Sequence, residues 1–266
     1  MGGNIARLGR LWGTIDKVEE ATAAVLEHRR RAPTLGGVPV GPSRNGRAIF
    51  GSSIGYVQRV DVAGLQTRAE QSRVRSVVAA LPGTFCAPGR ALAHVIPDSG
   101  DLADLDAGGI AAEFMIGDTR KFEEDPRFGL IVLSEIASRA LSPAVNDPGT
   151  AIDVIGTLLR LFARWAEPLG ERGTLASSCD RVEVPERSVR DMFDDAFAAI
   201  ARDGAGTIEV VMRLQKAFES LASLGNGPMR DSAISHARLS PRAERKLELP
   251  EDLEVVRKSA TWADPA

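Results

Sequence analysis

The chain has 266 residues, 44% of them hydrophobic and 26% charged, which suffices for a sizeable core and excludes disorder throughout. Its formal net charge of −3 supplies no general attraction to nucleic acid, so none is expected as a partner. Only two cysteines occur, Cys86 and Cys179, far apart in sequence, which excludes a disulfide framework and fits a reducing compartment.

From the N-terminus, Leu8, Leu11, Ile15, Val18, Thr22 and Val25 recur at three- and four-residue steps without a proline, predicting an amphipathic helix over 5–30. Residues 32–46, "APTLGGVPVGPSRNG", hold three prolines and four glycines and read as a linker. Between 47 and 97, "RAIF", "GYVQRVD", "RVRSVVAAL" and "ALAHVIP" are short runs punctuated by Gly and Pro, the mark of strands, with a short helix over 62–71. Two Pro-Gly steps in "LPGTFCAPGRAL" suit a tight turn and a return strand. "AAEFMIG" (111–117) and "DRVEVP" (180–185) read as further strands. Helices with apolar faces are predicted over 129–141, 149–165, 186–202 and 207–224, followed by a polar tail with short helices.

The expected fold class is therefore α+β: an N-terminal helix, a small β-barrel or sandwich, then an antiparallel helical bundle. Along the chain this gives 1–46 as helix and linker, 47–125 as the β-rich part, 126–225 as the bundle with a late strand, and 226–266 as the tail. The most apolar segment, from Phe128, is broken by Glu135 and Arg139, and no run reaches the roughly 18–20 residues a spanning helix needs. The first residues carry arginines but no apolar leader, so the chain by itself reads as soluble and cytoplasmic.

Candidate chemistry is sparse. "GSSIG" (Gly51–Gly55) places Ser53 where a hydrolase nucleophile would sit, but the elbow needs a strand turning into a helix, and "GYVQRVD" is strand-like. A turn or bulge is the better reading, with a serine hydrolase as a distant alternative. The unit around "LPGTFCAPGRALAHV" resembles half of a lipoyl- or biotinyl-type barrel, whose members carry a cofactor on a lysine. No lysine lies between Lys17 and Lys121, so carriage is excluded and no cofactor is expected. His28, His94 and His236 are scattered and no C-x-x-C occurs, so no metal is expected. Glu123-Glu124-Asp125 and Asp194-Asp195 read as wet helix faces before they read as ligands for a hard cation. No nucleotide-binding glycine pattern is present.

Three stretches, "GYVQRVDVAGL", "FMIGDTRKFEEDPRFGL" and "SEIASRALSPAVNDPGTA", taken in that order, resemble an uncharacterised bacterial family of predicted membrane proteins, domain of unknown function number 2254. The resemblance spans Gly55 to Gly225, and its third stretch is the most specific. It implies several transmembrane helices N-terminal to a soluble portion, so that this chain would begin near the end of the last one. On that expectation Arg7, Arg10, Lys17, Arg29, Arg30 and Arg31 form a basic surface that can touch anionic lipid. The family has no established activity and supplies no catalytic residues.

One polar constellation stands out, in "RALSPAVNDPGTAID" (Arg139–Asp153). Pro143 ends one helix, and Asp147 with Pro148 suits the start of the next as N-cap and N1. Glu135, Arg139 and Ser142 make a polar stripe that leads to Asn146, Asp147 and Thr150. If that helix is buried on both sides these groups must satisfy one another or hold a ligand, the first being the ordinary outcome. The expected function is a non-enzymatic cytosolic domain in assembly or regulation of a membrane part, its amphipathic first helix offering a surface for homo-oligomer formation. The alternative is a small-molecule or ion sensor at the 135–150 corner.

Overall fold

A computed structural model describes residues 2–42, 46–103, 105–170, 173–224, 227–238 and 246–263, with the side chains of 2–11 outside the described set. The chain divides into two compact units that interleave in sequence. A helical unit takes Met1–Leu26, Gly129–Pro168 and Ser188–Ala266, and a sheet unit takes Glu27–Phe128 and Leu169–Arg187.

Helix α1 (Gly2–Arg31) opens the chain. The sheet unit then holds β1 (Gly37–Val38), β2 (Arg47–Phe50), β3 (Gly55–Val60), helix α2 (Val62–Ser72), β4 (Val74–Val78), β5 (Phe85–Cys86), β6 (Ala91–Pro97), helix α3 (Ala107–Ala112), β7 (Phe114–Gly117) and, after the helices of the other unit, β8 (Cys179–Glu183). Five strands form one sheet in the order β1-β8-β4-β6-β2, and three form a second in the order β5-β3-β7. The β1–β8 and β4–β8 pairs are parallel and the others antiparallel. Strict alternation of buried and half-buried residues along β4 puts Val74, Ser76 and Val78 inward. Val74 and Val78 join Leu65, Leu92, Val95, Ile110 and Val182 in one core.

The α+β class is as the sequence implies, but the strands remain two open sheets and do not close into a barrel. Two further differences have local causes. The linker contributes β1, whose Gly37 lies so close to β8 that a side chain there would overlap the Val182 carbonyl and come within 2.9 Å of Val184. The start of "AAEFMIG" is the end of α3. That helix is held despite Gly108-Gly109 because the Asp106 carboxylate accepts from the Gly109 amide at 2.8 Å.

The helical unit contains α4 (Pro126–Ala140), α5 (Pro148–Ala166), α6 (Val189–Asp203), α7 (Ile208–Leu224), α8 (Gly227–Ala237) and α9 (Pro250–Ala260). Its core gathers Leu130, Leu133, Ile155, Leu158 and Leu214 around four phenylalanines, Phe162, Phe193, Phe197 and Phe218, with ring centroids as close as 4.5 Å. Among the described residues no helix is long and apolar enough to cross a membrane.

Helices α1 and α4 approach closely at Thr22 and Gly129. Thr22 is buried, with its hydroxyl donating to the Val18 carbonyl at 2.5 Å, and Gly129 packs directly on it. A Cβ at 129 would overlap Thr22 Oγ1 and lie 2.8 Å from Thr22 Cβ, an atom fixed to the backbone that cannot swing away. Gly129→Ala is therefore expected to lower the unfolding free energy by about 1–3 kcal/mol through overpacking, outweighing its helix-propensity gain. Urea melting of the two chains checks this; an unchanged or higher midpoint would mean that the helices separate freely here.

Candidate functional site

The 135–150 corner is built as a capped turn. Three bonds close it: Val145 and Asn146 donate backbone N–H to the Ser142 carbonyl at 3.0 and 2.8 Å, and Asp147 donates to the Ala140 carbonyl at 2.8 Å. Asn146 takes the left-handed conformation, φ 47°, which Asn tolerates better than most residues. Asp147 caps α5: Oδ1 accepts from the Thr150 amide at 3.2 Å, and Oδ2 accepts from the Thr150 hydroxyl at 2.7 Å. Ser142 donates its hydroxyl to the Arg139 carbonyl at 2.7 Å. The structure thus brings Asp147 and Thr150 together and leaves Glu135, Arg139 and Asn146 exposed to water. Glu135 and Arg139 on α4 thus lie on a solvated face. Sequence reasoning reaches Asp153, the last residue of that stretch, but misses Arg213 beside it. Burial, then the charge of Asp147, holds the Asp153 carboxyl above its usual range, and Arg213 opposes them.

The basic residues of α1 do not share one surface. Lys17 is exposed, while the side chains of Arg7 and Arg10 lie outside the described residues. Arg30 is largely buried and pairs with Glu27 at 2.8 Å. Arg31 is half-buried, and its carbonyl accepts from the Leu175 amide. Arg29 corrects the expectation outright: it is only 2% exposed. The reason is helical period. Val25, Leu26 and Ala32 are all buried, and Arg29 stands four, three and three residues from them, on the same apolar stripe.

Within the sheet unit Arg29 belongs to a cluster of arginines around Asp125. One Nη of Arg29 donates to the Glu124 carbonyl at 3.0 Å, while Nη1 is buried and meets no acceptor among the described residues. Arg187 donates Nη2 to the Pro82 carbonyl, while its Nε is likewise buried without an acceptor among the described residues. Arg120 holds the Asp125 carboxylate at 2.6 Å and lies over the Phe128 ring. The Arg127 amide donates to the other Asp125 oxygen at 3.2 Å, where α4 begins. Leu81, Pro82, Gly83 and Thr84 make the turn beneath, closed by Thr84 N–H to the Leu81 carbonyl at 2.9 Å. Gly83, φ 91°, is required twice, for that conformation and because a Cβ would lie 2.6 Å from Asp125 Cγ.

Electrostatics follow from this packing. Burial pushes the Arg29 guanidinium down to about 10, against the pull of Glu124 and Asp125. Burial pushes Arg187 down to about 10 as well, helped by the positive charge of Arg29 and, to a smaller degree, of Arg127 and Arg120, with Asp125 alone opposing. Both groups stay charged at neutral pH. Leaving a buried donor unpaired costs about 1–3 kcal/mol for a neutral group and more for a charged one. Such a cluster has the charge to bind and orient an anion.

The remaining sequence candidates are not assembled into sites. Ser53 is exposed in the turn before β3, so a strand follows it and the elbow geometry is not formed. Among the described residues no group of three or more His, Cys, Asp and Glu is placed to hold a metal ion. Asp125 is engaged by Arg120, and Asp194 faces His236 Nε2 at 3.0 Å.

Comparison with known proteins gives a family and little more. The chain matches the family model described as "Predicted membrane protein (DUF2254)" over residues 3–220. It is similar to the uncharacterized proteins Mb1321c of Mycobacterium bovis and Rv1290c of Mycobacterium tuberculosis. Each is 33% identical over 125 residues, covering 44% of this chain and 23% of the relative. The match therefore spans less than a quarter of the length of those curated relatives. No solved structure matches.

The corner yields a comparison of two substitutions. Asp147→Ala is expected to lose about 0.5–2 kcal/mol with the cap, and Arg139→Ala to stay within about 0.5 kcal/mol as an exposed residue. Chemical denaturation measures both; equal losses would contradict the division into a structural cap and a solvated stripe.

Proposed function

The chain belongs to the family of predicted membrane proteins described as DUF2254, and we propose that it is a regulatory domain whose state depends on a bound anion. The observation that supports this is the pair of buried guanidinium groups, Arg29 and Arg187, each with a buried donor that meets no acceptor among the described residues. A charged donor withdrawn from water recovers the lost interaction only through a polar partner, and best through one of opposite charge. An anion meeting Arg29 Nη1 and Arg187 Nε offsets both losses together. With both groups protonated at neutral pH and Asp125 already held by Arg120, the chemistry on offer is recognition and not proton transfer.

The regulatory part of the reading rests on where these residues lie in the chain. The segments of the sheet unit run from Glu27 to Phe128 and from Leu169 to Arg187, so Arg29, Arg127 and Arg187 stand beside segment ends. Beyond those ends the chain continues as α1, α4 and α6. A ligand held by Arg29 and Arg187 acts near the end of α1 and just before the start of α6. The family's description makes a membrane part the natural object of that regulation.

Scanning fluorimetry of the full chain, over a panel of small anions at constant ionic strength, tests the reading. At least one anion should raise the midpoint saturably, the gain being about 2.7 kcal/mol at a hundred-fold excess over its dissociation constant. Arg187→Met should remove the response. A midpoint that no anion moves beyond the chloride control contradicts the proposal.

A further inference from the structure

We infer that His236 is a proton-operated latch. As an imidazolium it holds α8 against α6 and α7, and on giving its proton to water it lets α8 loosen from the aromatic rings beneath. The latch belongs to the helical unit, uses none of the arginines above, and lies beyond residues 3–220 that the family model matches.

The argument starts from the two ring nitrogens. Nδ1 lies 2.8 Å from the Ser232 carbonyl oxygen, one turn back on α8, and Nε2 lies 3.0 Å from Asp194 Oδ1 on α6. A backbone carbonyl accepts and cannot donate, and the same holds for an ionised carboxylate. A neutral imidazole has one N–H, so it meets one of these oxygens and turns a lone pair on the other. The imidazolium donates to both. Its surroundings favour the same form, since the ring centroid lies 5.5 Å from that of Phe193 and 5.9 Å from that of Phe218, near enough for aromatic rings to attract a cation. Asp194 faces the ring from α6 and Phe218 from α7, while the last turn, Thr261–Ala263, holds no ionisable side chain. The further charges nearest in sequence are Asp191 and Asp195 on α6, Glu219 on α7, and Arg230, Asp231 and Arg238 on or beside α8.

The seat of α8 is one that a single bond can tip. The helix buries Met229, Ser232, Ala233 and Ala237, of which Met229 alone is a large apolar side chain, so its burial contributes little. Gln215 of α7 donates Nε2 to the Ala237 carbonyl at 2.7 Å, but its Oε1 is buried and meets no donor among the described residues, which weakens the seat further. Beneath lie Phe193 and Phe218, both fully buried and in one core with Met229, Ala233 and Ala237. The sign follows directly. At mildly acidic pH the ring is charged, both bonds are made and α8 is held. As pH rises through the range in which imidazoles lose their proton, about 5 to 8, Nε2 turns a lone pair on Asp194 and the hold is lost.

Amide hydrogen exchange of the full chain, at about pH 5 and about pH 8, tests the latch. The quantity read is the protection of α8 amides divided by that of α5 amides, a ratio from which the base catalysis common to both cancels. It is expected to fall by on the order of ten-fold or more at the higher pH, the value of one charge-assisted bond. Asp194→Asn changes an exposed residue and supplies an amide that donates to a neutral Nε2 or accepts from a charged one. In that variant α8 should be held at both pH values and the ratio should stay constant. Imidazole 15N shifts of the wild-type chain, assigned with His236→Gln, give a second reading: both nitrogens should be protonated at the lower pH and one at the higher. A wild-type ratio that is unchanged or rises with pH overturns the latch. So does a ratio that falls in Asp194→Asn as well, because α8 then loosens for a reason other than the His236 proton.

Discussion

Arg29 and Arg187 carry full positive charge into the sheet unit, and only part of their donor set is met there by protein oxygens. Much of the surrounding structure is arranged by that charge. Asp125, 3% exposed, is placed among the arginines and locked by Arg120. Arg120 is itself held against Phe128, whose ring packs on Phe122. The Pro82-Gly83 turn supplies a carbonyl to Arg187, and Gly83 has no side chain, so the turn can lie against the Asp125 carboxylate. A burial of this kind destabilises a fold unless something compensates it, and compensation within the protein is incomplete.

The 135–150 corner makes a useful contrast, since it has more polar residues in sequence and demands less. Asp147 and Thr150 satisfy each other, Asn146 provides the left-handed residue, and Glu135 and Arg139 meet water. A polar residue signals a site when burial removes its hydration, not when it merely has polar neighbours. By that measure the residues that matter are the two arginines, one of which sits in a basic run that reads as surface.

How far the sequence shows this depends on the range of the interactions involved. Strands β2, β3, β4 and β6 and helix α5 are legible because each follows a local period bounded by Gly, Pro or an Asp-Pro start. Strand β1 is not, since a Gly-Val pair makes no period and its backbone pairing is supplied by β8, far along the chain. Helix α3 is hidden by Gly108-Gly109, whose low propensity is overcome by the Asp106 cap. Arg29 could have been found by stepping four residues on from Val25 along the apolar stripe of α1, but "HRRR" reads as a solvated helix end. Arg187 left no signal at all. Its burial depends on a turn 105 residues away in the chain.

The central claim is that the fold holds buried positive charge for an anion to complete, within a family whose description places it among membrane proteins. A crystal of the chain soaked in tungstate, a heavy anion, tests this most directly by anomalous scattering. The account predicts a peak within hydrogen-bond distance of both Arg29 Nη1 and Arg187 Nε. A cluster without a peak, in which those two donors turn onto protein carbonyls or carboxylates, would contradict it.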